Sequence, residues 1–229
     1  MKRVIDYSGQ NILVMGLGTH GGGIGVARFL VSRGAKVTVT DLRSKESLGA
    51  SVEALAGLPI RFVLGEHQHL DFSSTDMVIR NPGVGLNSPF LATARRSGVP
   101  IEMEMSLFFS EWPVARTIGV TGTRGKTTTA TFIHHLLRAQ GVDAVLAGNM
   151  RVSAVAMLDH LQDDQTVVLE MSSWQLEGLS HRHVSPAVAV VTNLLPDHLD
   201  RYRDMTAYAN AKKIIVQYQT PADLAILNR

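Results

Sequence analysis

The sequence has no cysteine among its 229 residues, which excludes disulfides, thiolate metal sites and cysteine nucleophiles. That absence fits a reducing, cytoplasmic setting. Charge is nearly balanced: 22 Lys and Arg against 20 Asp and Glu leave a formal net charge of +2. So small a surplus gives no electrostatic basis for nucleic acid as a main partner. No apolar run approaches the roughly 18 residues of a membrane-crossing helix. The polar opening MKRVIDYSGQ carries no secretory-leader pattern, and low-complexity tracts and short repeats are missing. What is present is a globular composition, 45% hydrophobic and 18% charged, long enough for one large domain or two ordinary ones. The expectation is a cytoplasmic monomer without membrane insertion.

The chain repeats a short apolar run, a glycine turn and a helix-period segment. Asn11 to Met15, Lys36 to Thr40, Arg61 to Leu64, Met77 to Arg80 and Val99 to Glu102 read as strands, with helical spacing after Gly23 and near Ser88 to Ser97. A second series follows Glu111-Trp112-Pro113, which reads as a linker. Its strands are Thr117 to Thr121, Val142 to Ala147, Thr166 to Met171, Ala187 to Thr192 and Ala222 to Leu227, with a helix over Asp204 to Tyr218. Alternating strands and helices predict parallel βαβ units. The fold class is therefore α/β with two tandem domains. An N-terminal Rossmann-like parallel sheet spans 1–110, and a P-loop-type, ATPase-like central domain spans 111–229.

Two glycine loops carry the chemistry. Gly16-x-Gly18-x-x-Gly21 follows a strand, opens a helix and has Asp41 20 residues beyond Gly21 at the end of the next strand. Such glycines let backbone approach a diphosphate at the helix N-terminus, and the acid can bond a ribose hydroxyl. The pattern does not choose between a dinucleotide and a nucleotide-sugar, nor does it exclude a ligand-free turn. The second loop, Gly122-Thr123-Arg124-Gly125-Lys126-Thr127-Thr128, also joins a strand to a helix. Its backbone N–H groups would cradle phosphate, Lys126 would neutralise it and the Thr127 hydroxyl would ligate Mg²⁺, which points to ATP. It departs from a strict Walker A pattern, because Val120 stands five residues before Gly125.

Three downstream features qualify as site candidates. Glu170 ends a buried strand, where a carboxylate points into the ligand crevice and offers hard oxygen to Mg²⁺; a solvated strand-end acid is the alternative. Asp197-His198 follows a strand, and such a pair is also a common loop hydrogen bond. Lys212 falls within the stripe of Tyr208, Ala211, Ile215 and Tyr218, whereas Lys213 lies towards the polar side. An inward lysine must be paired, chemically altered or snorkelling at the rim.

With these residues in place, the sequence resembles the Mur ligases of peptidoglycan synthesis. The matching stretches are GLGxxG, Asp41-Leu42-Arg43, Asn81-Pro82-Gly83, TGTRGKTT, Gly148-Asn149, LEMSSWQLE, Asp197-His198-Leu-Asp-Arg-Tyr202 and Ala211-Lys212. The resemblance implies an ATP- and Mg²⁺-dependent, amide-forming enzyme of cell-wall biogenesis. Within the family the implied reaction adds D-glutamate to UDP-N-acetylmuramoyl-L-alanine through an acyl phosphate. Lys126, His198 and Lys212 are then the catalytic residues, with Lys212 carbamylated by CO₂. Thr127, Glu170, His198 and Lys212 hold metal, and residues 122–128 hold ATP. Gly18, Thr19, His20, Asp41, Leu42, Arg43, Asn81, Pro82, Gly83, Asn149 and Ser172 fall where the family binds the UDP-sugar.

Three departures from the family pattern stand out. The loop GLGTHGGGIG is two residues longer than usual, and Arg124 replaces a common asparagine. The chain stops at Leu227-Asn228-Arg229 where the family continues to a third domain, so the resemblance implies a truncated central domain without ligase turnover of its own. Two other readings stay open: a nicotinamide-dependent oxidoreductase, resting on the first loop, and a P-loop nucleotide-sensing module.

Overall fold

A computed structural model describes residues 1–19, 21–148 and 152–228. His20 and Asn149, both expected at the sugar-nucleotide site, lie outside the described residues. The chain forms two compact units: one comprises Val4–Leu107 with Arg151–Ala156, the other Met1–Arg3, Phe108–Met150 and Met157–Arg229.

In the unit built on Val4–Leu107, the elements are β1 (Asn11–Met15), α1 (Gly22–Ser32), β2 (Lys36–Asp41), α2 (Gly49–Glu53), β3 (Ile60–Leu64), α3 (His69–Ser73), β4 (Met77–Arg80), α4 (Pro89–Arg96) and β5 (Ile101–Glu102). The strands are parallel in the order β3-β2-β1-β4-β5. β1 is apolar on both faces because helices cover both, and Ile12 to Met15 are all buried. Leu13, Met15 and Val78 of the sheet pack with Phe72, Leu91 and Ala94 of the helices on one face. On α1, Val26, Phe29 and Leu30 are buried, each contributing about 1.5–3 kcal/mol. Strand order reverses between β1 and β4, which places the ligand crevice of such a sheet there.

Helix α5 (Glu104–Glu111) follows. The chain then runs β6 (Thr117–Thr121), α6 (Lys126–Ala139), β7 (Ala144–Gly148), α7 (Ala154–Met157), β8 (Thr166–Glu170), α8 (Ser173–Leu176), β9 (Val188–Val191), α9 (Met205–Gln217) and β10 (Leu224–Leu227), all in the second unit except residues 154–156 of α7, which belong to the first. The second unit's strands are also parallel, in the order β10-β9-β6-β8-β7. Val120, Val168 and Val190 of the sheet pack against Ala130 of α6. Asp204 caps α9 by accepting the Ala207 N–H at 2.8 Å. β10 leaves all four of its residues exposed.

Several sequence expectations need correction. Glu111-Trp112 is no exposed linker: Glu111 closes α5, Trp112 is 1% exposed, and its N–H bonds Phe108 O at 2.8 Å. Met105, Leu107 and Phe108 are buried, and so are the polar Glu104, Ser106 and Glu111, so EMSLFFSE is a helix buried nearly all round that the neighbouring proline obscured. The strand expected over Val99 to Glu102 shrinks to Ile101–Glu102, and β7 starts at Ala144 rather than Val142. The short helices α2, α3, α7 and α8, of five residues or fewer, offer too few periods to be read from spacing. Among the described residues, no helix is long and apolar enough to cross a membrane.

Candidate nucleotide sites

In the second unit, β6 delivers the chain into a loop held from both sides. Thr121 Oγ1 donates to Met171 O at 2.8 Å, and the Thr123 and Arg124 N–H groups bond Asn193 O and Oδ1 at 3.1 and 2.9 Å. Arg124 O in turn accepts from Thr192 Oγ1 at 2.6 Å. Only glycine fits at 122: a Cβ there would lie 1.9 Å from Thr192 Oγ1, and φ is +152°. Gly125, with φ of 78°, caps α6, so the loop ends on a helix N-terminus where N–H groups and dipole favour anions.

Lys126 is the first residue of that helix. Its Nζ donates to Gly122 O and Thr123 O at 3.1 and 3.0 Å, which holds the ammonium over the loop. Thr127 Oγ1 donates to Glu170 Oε2 at 2.7 Å, and Glu170 is buried. The expected strand-end acid and loop hydroxyl therefore meet, giving a pair of hard oxygens.

Lys212 on α9 is 4% exposed. Its Nζ donates to Gly122 O at 2.8 Å and lies 4.7 Å from the Tyr208 ring centroid. Snorkelling is thus excluded; the amine points inward, onto the loop. Desolvation, reinforced by the Lys126 charge, brings its pKa down to about 8. His198 has a left-handed backbone (φ 53°). Its ring packs against Trp174 and Tyr208, with Nε2 4.0 Å from Asp197 Oδ2. His198 and Lys212 thus share Tyr208 as a neighbour. Among the described residues, no three His, Cys, Asp or Glu side chains cluster as a metal cage.

Other residues complete this unit's polar framework. Tyr208 shares a hydrogen bond with Thr123 at 3.2 Å. Glu177 accepts from Arg201 at 3.0 Å and from Tyr202 at 2.9 Å, and the Arg201 guanidinium lies over the Trp174 ring. Ser172 serves as N-cap of α8 in a capping box with Gln175. Asn193 and Thr192 carry no sequence signal beyond a turn after a strand.

The first unit's loop is built differently from its fingerprint. Gly21 is the N-cap of α1 with φ of 89°, so the helix starts at Gly22. The glycine that lets helix and strand approach is Gly23: a Cβ there would lie 2.2 Å from Leu17 O. The spacing that brings helix and strand together is therefore Gly16-x-Gly18-x₄-Gly23. Asp41 is buried and turned into the loop. Its Oδ2 accepts the Leu17 and Gly18 N–H groups at 2.9 and 3.1 Å, and its Oδ1 accepts that of Arg43 at 2.9 Å. Asn81 faces the same loop, donating from Nδ2 to Gly16 O at 3.1 Å while Oδ1 accepts Gly83 N–H at 3.0 Å. Thr19, Leu42 and Arg43 are exposed, and Pro82 is partly so.

Glu104 was not expected here. It is buried with its carboxylate near Gly22, where a Cβ would be 3.6 Å from Oε2, and it accepts Ser153 Oγ at 2.6 Å. Burial pushes its carboxyl pKa up against the opposing hydrogen bonds of Ser153, Ala154 and Val155.

Two doubly wound parallel sheets, each opening on a glycine loop and the second on a phosphate-type loop with Lys, Thr and Glu gathered at it, define a nucleotide-binding class of α/β protein. The comparisons narrow that class. Residues 10–102 match "Mur ligase MurD-like, N-terminal domain" and residues 120–229 match "Mur ligase middle domain". The chain belongs to the Mur ligase family, of which it carries these two domains. It is 53% identical over 224 residues to UDP-N-acetylmuramoylalanine--D-glutamate ligase of Roseiflexus sp. and 41% identical over 226 residues to that of Geobacter metallireducens. Both alignments cover 98% of this chain and 48% of the relative. The chain thus spans about half the length of the curated relatives it matches. Among solved structures it shares its fold with the UDP-N-acetylmuramate:L-alanyl-gamma-D-glutamyl-meso-diaminopimelate ligase of Neisseria meningitides. That match has a TM-score of 0.60 at 18% identity and covers 96% of this chain and 71% of the other. A murein peptide ligase of Psychrobacter arcticus matches with a TM-score of 0.55 at 18% identity, covering 96% and 49%.

Proposed function

We propose that this chain supplies the sugar-nucleotide and phosphate-loop parts of a cytoplasmic ligase that joins D-glutamate to UDP-N-acetylmuramoyl-L-alanine at the expense of ATP. The observation that carries the reading is the meeting of Lys126, Thr127 and Glu170 on one loop–helix junction, in a chain whose relatives at 53% and 41% identity bear that ligase's name. In the reaction a carboxylate oxygen of the alanyl group bonds to the γ-phosphorus and ADP leaves. The D-glutamate amine then bonds to the acyl carbon, the acyl C–O bond to phosphate breaks, and the amine loses a proton.

Lys126 stabilises the charge that develops on the transferred group. Thr127 and Glu170 fit Mg²⁺: both offer hard oxygen, and an ion that keeps most of its shell as water and phosphate needs only one or two protein ligands. Magnesium, when bound, screens phosphate charge and polarises the phosphoryl group. His198 belongs to a second metal position. Lys212 belongs there as its carbamate: attack of the neutral amine on CO₂ forms the N–C bond and releases a proton. That step turns a buried cation, unfavourable beside Lys126, into an anion. In the other unit, Gly18, Thr19, His20, Asp41, Leu42, Arg43, Asn81, Pro82 and Gly83 contact the UDP moiety; of the phosphate-loop unit's own residues, Asn149 contacts the muramoyl part and Ser172 is a further substrate-binding residue.

Calorimetric titration with UDP-N-acetylmuramoyl-L-alanine, with NAD as control, tests the reading. Binding of the sugar-nucleotide alone supports it; binding of NAD alone would replace it with the oxidoreductase reading. Lys126→Ala should abolish ATP binding and spare UDP binding, and unchanged ATP affinity would remove the loop assignment.

A further inference from the structure

The C-terminal edge of the first sheet holds a polar group that the glycine loop does not use. In a doubly wound sheet the diphosphate sits at the first helix N-terminus, and the ribose reaches the acid at the end of the second strand. Here that acid is Asp41, and three of its roughly four lone-pair directions are already taken by the N–H groups of Leu17, Gly18 and Arg43. The chain leaves β3 at Leu64 and returns to the same place, with His67 Nδ1 2.7 Å from the hydroxyl of Thr40, the residue before Asp41.

One placement of the protons satisfies every group here. Thr40 Oγ1 also lies 3.2 Å from Glu66 O. If the hydroxyl proton goes to that carbonyl, its lone pair accepts Nδ1–H from His67, and all three groups are satisfied. Nε2 is then an unprotonated acceptor, and it makes no hydrogen bond among the described residues. The ring cannot easily swing away: Phe72 and Phe90 hold it edge-on, at centroid distances of 5.8 and 5.0 Å. His67 is half-buried, and burial favours the neutral form that keeps this lone pair.

We infer that His67 binds the nucleoside end of the ligand, with Nε2 accepting a hydrogen bond from a ribose hydroxyl. The assignment rests on reading this unit as the sugar-nucleotide domain. It moves the acceptor role expected of Asp41 to a residue that no sequence pattern selects, and it leaves Asp41 to shape the glycine loop.

The test is calorimetric titration of the 229-residue chain and its His67→Phe variant with UDP, 2′-deoxy-UDP and 3′-deoxy-UDP. Phenylalanine keeps the edge-on packing and removes the acceptor. The expected result is a loss of about five- to tenfold in UDP affinity, with one of the deoxy analogues bound equally by both proteins. Unchanged UDP affinity, or an equal loss for UDP and both analogues, would overturn the inference while leaving the domain reading intact. Failure of the unsubstituted chain to bind UDP would overturn both. Should His67→Phe not fold, His67→Gln and His67→Asn decide the matter. Glutamine can place an oxygen near the Nε2 position and asparagine cannot, so glutamine should bind UDP several-fold more tightly, and equal binding would overturn the inference.

Discussion

Replacing Gly23 with alanine tests the revised first loop most directly. A Cβ at this position would lie 2.2 Å from Leu17 O and 2.8 Å from Leu17 C and Cα, where ordinary contact begins at 3.4 Å. All three atoms are backbone. Leu17 is fully buried, and its N–H is tied to Asp41 Oδ2 at 2.9 Å, so the loop cannot yield as a side chain would. The clash is relieved only if α1 moves about 1 Å outward, which loosens Val26, Ala27, Phe29 and Leu30 from the sheet. Overpacking of this kind costs about 1–3 kcal/mol. Alanine would recover about 0.5–1 kcal/mol over glycine inside a helix. The net expectation is a destabilisation of about 1–2 kcal/mol, read as a lower urea midpoint at unchanged slope. Gly49→Ala is the control with the opposite sign. It sits at the start of α2 with nothing within 4 Å of its Cβ position, so only the helical gain remains. A Gly23→Ala midpoint at or above that of the parent would show that helix and loop do not meet as described.

Three further outcomes follow from the geometry. Glu104 has a raised carboxyl pKa, so its stabilising contribution is complete below the unfolded value of 4.5 and is lost as pH rises through the higher folded value; Glu104→Gln should flatten that decline in a series of urea melts from pH 4 to 8, and an unchanged slope would contradict it. Thr127→Val leaves the Glu170 carboxylate without its 2.7 Å donor; it should weaken Mg²⁺-dependent ATP binding about tenfold while UDP titrations stay unchanged. Ser172→Ala removes half of the α8 capping box and should cost about 1 kcal/mol in denaturant stability; no measurable loss would mean that buried Leu176 alone fixes that turn.

The parallel strands were legible because burial on both faces writes a continuous apolar run. Asn11 to Met15, Met77 to Arg80 and Thr117 to Thr121 keep their expected bounds, and α9 falls one residue inside each end of its expected span. The losses occur where the local signal is short or contradicted by neighbours. Helix α5 ends at a Trp-Pro pair that reads as a break, yet tertiary burial of Trp112 and Phe108 outweighs it. In the first loop three consecutive glycines offered three registers for one fingerprint, and only the approach of Gly23 to Leu17 O selects among them.

The candidate site was legible as a set of residue types and less so as a set of partners. Lys212 is the instructive case. Its place on the helical wheel posed a question of charge, and the structure sharpens it, because the nearest acceptor is the Gly122 carbonyl rather than a carboxylate. A buried amine on a neutral carbonyl, with Lys126 bonded to the same oxygen, is a costly arrangement for two ammonium groups. Either the loop carbonyl is shared by one charged and one neutral amine, or a chemical change removes the conflict. Asp41 shows the converse. Spacing selected it as a ligand acid, but spacing cannot see that Leu17 and Gly18 present their N–H groups to it across the loop. A strand-end carboxylate serves a ligand only after the chain's own donors are satisfied, and that accounting is visible only once the loop has closed.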